Sequence, residues 1–146
     1  MQSQSYGPEA RGGASKSEVI ISDGPIDYPK ATIVDACLAM TQEAADKYAV
    51  GIKDGGILLL DDDYVKRNPE GNFQLYRLPI MRMAKTDIGR EIVANVVALG
   101  AMIGLTGVVS KEAGEEAVLR KVPEAFKELN KKAFNLGYEK SKELLN

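Results

Sequence analysis

The segment SYGPEARGG, residues 5–13, holds the residue types in this chain that are best suited to binding an anion. Arg11 carries a planar guanidinium whose N–H donors match the geometry of a carboxylate or a phosphate. Gly12 and Gly13 lack side chains, so a ligand or a second backbone could approach closely there. The segment is therefore one candidate binding loop.

The same residues also have a purely structural interpretation. A glycine bulge could begin the strand that follows, with Glu9 and Arg11 paired on the surface. Tyr6 could anchor the loop or stack on a ligand. The loop is not a P-loop, because no Gly-Lys-Ser or Gly-Lys-Thr follows, and it lacks the GxGxxG dinucleotide fingerprint. The local residues alone favour the bulge.

Three consecutive carboxylates, Asp61 to Asp63, follow an apolar segment. Hard cations prefer clustered carboxylates, and α/β sheets hold ligands at the carboxyl ends of their strands. However, successive side chains of an extended segment point to opposite faces, so three in a row cannot readily converge on one ion. We expect a solvated, turn-forming strand end and no metal site.

Nucleophilic and acid–base chemistry have little support. The chain has no histidine, which removes the commonest general base and the usual serine and cysteine triads. Its single cysteine, Cys37, cannot form an internal disulfide, a cluster or a zinc site from this chain's own thiolates. We expect Cys37 to be an inert buried thiol.

The composition also disfavours two classes of partner. A net charge of -2 gives no long-range attraction for a nucleic acid. The longest apolar run is interrupted and shorter than the about 20 residues that span a bilayer. No secretory signal is visible, so we expect a cytoplasmic protein that does not enter the membrane.

The pattern of apolar residues predicts strands followed by helices. Strands are expected at Ser17–Ser22, Asp35–Met40, Ile57–Leu60 and Asn72–Leu78. Helices are expected after the capping residues Thr41 and Ser110, and from Pro123 onward. The length of 146 residues suits one domain, and this order predicts an α/β fold with an open twisted sheet.

Two of the predicted helices have recognisable buried surfaces. The helix from Ile92 to Leu105 has hardly any polar face, and its small residues would let a neighbouring backbone approach closely. We interpret it as a buried helix packed on the sheet or against another subunit. The last helix is expected to bury a face formed by Phe126, Leu129, Ala133, Leu136 and Gly137.

Several segments together carry a family resemblance along nearly the whole chain. They are QSYGPEARGGASKSEVIISDGPIDYPK (4–30), LPI (78–80), IVANVVALGAMIGLTGVVS (92–110), VPE (122–124) and NKKAFNLGYE (130–139). In these segments the chain resembles the gamma subunit of 2-oxoacid:ferredoxin oxidoreductases, a domain also fused within single-chain pyruvate:ferredoxin oxidoreductases. The resemblance implies a single three-layer α/β domain, residues 1–146, with helices on both faces of the sheet.

The resemblance implies a complex that decarboxylates a 2-oxoacid on thiamine diphosphate with Mg²⁺, passes electrons through iron-sulfur clusters to ferredoxin, and transfers the acyl group to coenzyme A. This chain has no GDG segment of the thiamine type and no set of cysteines for a cluster. It is therefore expected to bind none of these cofactors alone and to act with alpha, beta and delta subunits.

Within such a complex, the resemblance implies that this chain packs against the thiamine-binding subunits and helps to form the coenzyme A side of the active-site entrance. No catalytic side chain is assigned to it. The residues assigned to cofactor binding all belong to the glycine-rich loop: Tyr6, Gly7, Glu9, Arg11, Gly12, Gly13 and Lys16.

The loop also bears on the substrate. EARGGASKSEV, residues 9–19, is similar to the 2-oxoglutarate type, whereas gamma subunits of the pyruvate type resemble YGPERRGAP at this place. The resemblance thus implies 2-oxoglutarate. A subunit for pyruvate or branched-chain 2-oxoacids, or a non-catalytic binding and assembly module, remains an alternative.

One feature departs from the family pattern. Family members normally precede this loop with a strand and helix that begin at a GGQG turn, and here Met1 comes just before the loop. We expect a domain that is incomplete at its N-terminus, or one completed by a separate polypeptide. Because unpaired strand edges promote association, such a chain alone is expected to be poorly soluble or obligately associated.

Overall fold

The computed structural model describes residues 2–4, 17–21 and 33–146. Its strands are β1 (Gln2–Gln4), β2 (Ser17–Val19), β3 (Val34–Ala39), β4 (Ile52–Asp61) and β5 (Gln74–Leu78). Its helices are α1 (Gln42–Tyr48), α2 (Ile80–Arg82), α3 (Ala94–Thr106), α4 (Lys111–Lys121) and α5 (Lys127–Leu144). A π-helical turn, Met83–Ile88, continues α2.

The described strands form two separate sheets. β3, β4 and β5 form a parallel sheet with β4 in the centre, where Leu58 lies opposite Cys37 on one side and Leu75 on the other. β1 and β2 pair as a short antiparallel ribbon, in which Gln4 lies opposite Ser17.

Helices cover both faces of the parallel sheet. Leu59 of β4 is fully buried in the cluster that includes Val97 and Ala101 of α3. Leu58 and Leu60, its neighbours on either side, are buried against α1 on the opposite face. A run of apolar residues in β4 is therefore needed, because both faces of this strand are covered. The arrangement confirms the predicted three-layer α/β fold.

The predicted helix starts are confirmed at two positions. The Thr41 hydroxyl accepts a hydrogen bond from the Ala44 N–H at 3.1 Å, which begins α1. The Ser110 hydroxyl accepts one from the Ala113 N–H at 3.1 Å, which begins α4. Each cap satisfies an N–H group that has no partner inside the helix.

Glycines bring α3 and α5 into backbone contact. A Cβ atom at Gly137 of α5 would overlap the carbonyl oxygen of Val97, and one at Gly100 of α3 would overlap the carbonyl oxygen of Phe134. Side chains at these two positions are therefore excluded by rigid helix backbone. The close approach that the small residues of this helix predicted takes place within the chain, against α5.

Some predicted boundaries and faces were wrong. β2 ends at Val19, short of the predicted Ser22, which lies outside the described residues. Phe126 was assigned to the buried face of the last helix, yet its side chain is 46% exposed. It belongs to a 3₁₀ turn, Glu124–Phe126, that precedes α5, so it does not follow the period of that helix. Phe134 is fully buried instead.

We expect the substitution Gly137→Ala to destabilise the fold. Alanine favours a helix by about 1 kcal/mol over glycine, but overpacking against backbone costs about 1–3 kcal/mol and occasionally more. The overlap with the Val97 carbonyl should outweigh the propensity gain and lower the midpoint of thermal unfolding measured by circular dichroism.

Gly114→Ala in α4 is the matched control for this substitution. The new Cβ would lie 2.7 Å from Ile103 Cδ1 and 2.9 Å from Phe134 Cζ, which are ends of side chains and can shift. A smaller loss is expected there. If Gly137→Ala left the midpoint unchanged or raised it, the helix contact would not have the rigidity described.

Candidate functional site

The carboxyl ends of β3, β4 and β5 lie at one edge of the parallel sheet, where α/β folds usually hold ligands. Residues 40–42 follow β3, β4 ends at Asp61 and is followed by Asp62 and Asp63, and residues 79–81 follow β5. This edge is the first place to look for a site among the described residues.

Asp61 is buried, and its carboxylate organises this edge. Its Oδ1 accepts hydrogen bonds from the backbone N–H groups of Asp63 at 2.9 Å and Tyr64 at 3.3 Å. Its Oδ2 accepts one from the N–H of Met81 at 3.0 Å, so one side chain ties the end of β4 to the start of α2. The predicted turn-forming role is confirmed. The expectation of a solvated side chain was wrong for Asp61, which is fully buried.

The other two carboxylates point elsewhere. Asp62 forms an ion pair with Arg77 of β5 at 3.3 Å, and Asp63 forms one with Arg82 of α2 at 3.0 Å. The three aspartates therefore do not converge on a common point. Across the residues that the structure describes, no group of three or more potential metal-ligating side chains is present.

Arg77 is occupied by neighbouring groups of the fold. Its guanidinium donates to the carbonyl oxygen of Val65 at 2.6 Å and to Asn68 Oδ1 at 3.1 Å, besides its contact with Asp62. The strand β5 and the segment after β4 are thereby joined. Since these donors are already used, the guanidinium stabilises the loop instead of presenting an open fork to a ligand.

Gln42 joins the start of α1 to the segment that follows β4. Its Oε1 accepts from the backbone N–H groups of Lys66 at 3.0 Å and Arg67 at 2.9 Å, and its Nε2 donates to the Arg67 carbonyl at 3.0 Å. The guanidinium of Arg67 in turn pairs with Asp46 of α1 at 2.6 Å. The described part of this edge is thus bound together by its own polar groups.

Cys37 offers no activated nucleophile. It lies in β3, packed against the cluster on the α1 face. Burial raises the pKa of the Cys37 thiol to about 11, so little of the reactive thiolate is present at neutral pH. This agrees with the expectation of an inert thiol.

The residues predicted to bind a cofactor lie outside the described residues. This holds for Tyr6, Gly7, Glu9, Arg11, Gly12, Gly13 and Lys16. The structure does describe the residues on either side of them: Gln4 and Ser17 are cross-strand partners in the β1–β2 ribbon. The pairing brings the two ends of the segment 5–16 together.

One side of α3 carries an exposed apolar surface. Ile92, just before the helix, is 80% exposed and Leu99 is 43% exposed, while Met102 is half-buried. We call these three residues the outer face of α3. The sequence interpretation was a buried helix packed on the sheet or against another subunit. Within this chain eight of the thirteen residues of α3 are buried, Val97, Gly100 and Ala101 among them. The sequence feature that corresponds to this exposed apolar surface is the absence of charged residues from Ile92 to Ser110.

Comparison with known proteins places this fold in a family of oxidoreductases. Residues 1–140 match the family described as pyruvate ferredoxin/flavodoxin oxidoreductase. The chain belongs to this family.

No helix in the described part of the chain combines the length and apolar character needed to cross a membrane.

Individual relatives are similar over most of the chain. The 2-oxoglutarate synthase subunit KorC of Methanocaldococcus jannaschii is 51% identical over 146 residues, which is 99% of this chain and 78% of that protein. The gamma subunit of keto/oxoacid ferredoxin oxidoreductase from Geobacter sulfurreducens is 64% identical with a TM-score of 0.86, covering 97% of this chain and 79% of its own.

A pyruvate-type relative is more distant. The pyruvate oxidoreductase subunit PORC of Thermotoga maritima is 26% identical, with a TM-score of 0.69 over 95% of this chain and 78% of its own. The fold predicted from the resemblance is therefore confirmed by solved structures, and the similar proteins are named as subunits.

We expect Asp61→Ala to be strongly destabilising. It removes the acceptor of three backbone hydrogen bonds, and bonds to charged groups contribute about 1.5–3 kcal/mol each. A loss of about 3 kcal/mol or more in the free energy of unfolding is expected by urea denaturation.

The adjacent Asp62→Ala serves as the control, since its ion pair is half exposed and such pairs contribute about 0–1 kcal/mol. Equal losses for the two substitutions would contradict the organising role of Asp61.

Proposed function

We propose that this chain is the gamma subunit of a 2-oxoglutarate:ferredoxin oxidoreductase. The complex oxidatively decarboxylates 2-oxoglutarate with coenzyme A to succinyl-CoA and CO₂, and two electrons reduce ferredoxin. The observation that carries the proposal is the 51% identity to a 2-oxoglutarate synthase subunit across the chain, against 26% to a pyruvate-type subunit.

The residues of this chain do not fit the redox cofactors of such a complex. A cluster of the Cys₄ type requires four thiolates, and the sequence contains one cysteine and no histidine. Thiamine diphosphate, with its Mg²⁺, supplies the electron sink for decarboxylation and is assigned here to partner subunits. In this proposal the alpha, beta and delta subunits hold these cofactors, and ferredoxin accepts the electrons.

The glycine-rich loop is the proposed contribution of this chain to ligand binding. Arg11 and Lys16 provide positive charge for the phosphates or carboxylate of coenzyme A, and Glu9 holds Arg11 in position. The pairing of Gln4 with Ser17 supports this role, because it anchors both ends of the segment that carries these residues. Binding residues commonly lie on loops held by a rigid scaffold.

The outer face of α3 is the proposed surface for assembly with the thiamine-binding subunits. Ile92 just before α3 and Leu99 within it expose apolar side chains, while the opposite side of the helix is buried. The stretch from Ile92 to Ser110 contains no charged residue, and interface cores are depleted in charge. Covering this face would remove apolar surface from water, which favours association.

The substrate assignment is tested with the complex isolated through a tag on this chain. The purified complex should reduce ferredoxin with the highest kcat/KM for 2-oxoglutarate, in strict dependence on coenzyme A. Pyruvate and 3-methyl-2-oxobutanoate are the comparison substrates. If the complex preferred pyruvate or 3-methyl-2-oxobutanoate, the assignment of 2-oxoglutarate as the substrate would be wrong. If the tagged chain recovered no thiamine-binding subunit, the alternative of a non-catalytic binding and assembly module would be favoured.

Placing a charge on the outer face of α3 should weaken assembly. The substitution Ile92→Lys introduces an ammonium that the partner would have to desolvate, so recovery of partner subunits in a pull-down should fall. Val50→Lys is the matched control, because Val50 is 83% exposed, similar to Ile92 at 80%, but lies beside α1 in another layer. Equal recovery for the two variants would argue against this surface.

Removing the guanidinium of Arg11 should weaken coenzyme A binding. A charge-assisted hydrogen bond contributes about 1.5–3 kcal/mol, so Arg11→Ala is expected to raise the KM for coenzyme A about tenfold or more, with a smaller effect on the KM for 2-oxoglutarate.

Arg120→Ala is the control for Arg11→Ala, since Arg120 pairs with Glu116 on the exposed surface of α4. If Arg11→Ala changed neither the KM for coenzyme A nor the assembly of the complex, the loop would have no role in ligand binding.

A further inference from the structure

We draw no further inference here: the strongest candidate, the open polar depression of about 350 Å³ beyond the carboxyl end of β4 lined by Asp62, Lys66, Asn68 and Arg77, has its guanidinium already bonded to neighbouring groups of the fold and nothing in the described residues points to a ligand.

Discussion

The backbone contact between α3 and α5 sets the geometry of one whole layer of this fold. Gly100 and Gly137 leave no space for a side chain, so the two helices approach more closely than ordinary packing allows. The side of α3 that carries Val97 and Ala101 is then shared between α5 and the sheet. The opposite side of α3, which carries Leu99, is exposed in the described part of the chain.

The carboxyl edge of the sheet shows a second constraint. Asp61, Gln42 and Arg77 each bond to backbone or side-chain groups of adjacent segments. Polar groups that usually bind a ligand at such an edge are here engaged in holding the loops. In the described part of the chain, these side chains therefore stabilise the loops at this edge.

Local sequence signals predicted most of the elements, because their causes are local. Thr41 and Ser110 cap helices through hydrogen bonds to residues three positions on, and the apolar run in β4 marks a strand buried on both faces. The helical turn that begins at Ile80 was not predicted, although its apolar residues recur at helical spacing.

Errors arose where burial depends on distant contacts. Asp61 was expected in solvent because a carboxylate is usually solvated, yet the N–H of Met81, twenty residues away, compensates its burial. Phe126 was expected in the core because it was counted as part of the last helix, but it belongs to a 3₁₀ turn before α5 and is 46% exposed.

By itself, the sequence determined the fold class, the helix caps, the family resemblance and the exclusion of histidine-based or multi-cysteine chemistry. Each depends on residue identity or on contacts within a few positions. Only the tertiary structure decided that Asp61 is an internal acceptor, that α3 packs against α5 through Gly137, and that Ile92 and Leu99 remain exposed. These outcomes depend on which segments meet in space, and the apolar character of a helix does not specify which of its sides the rest of the chain will cover.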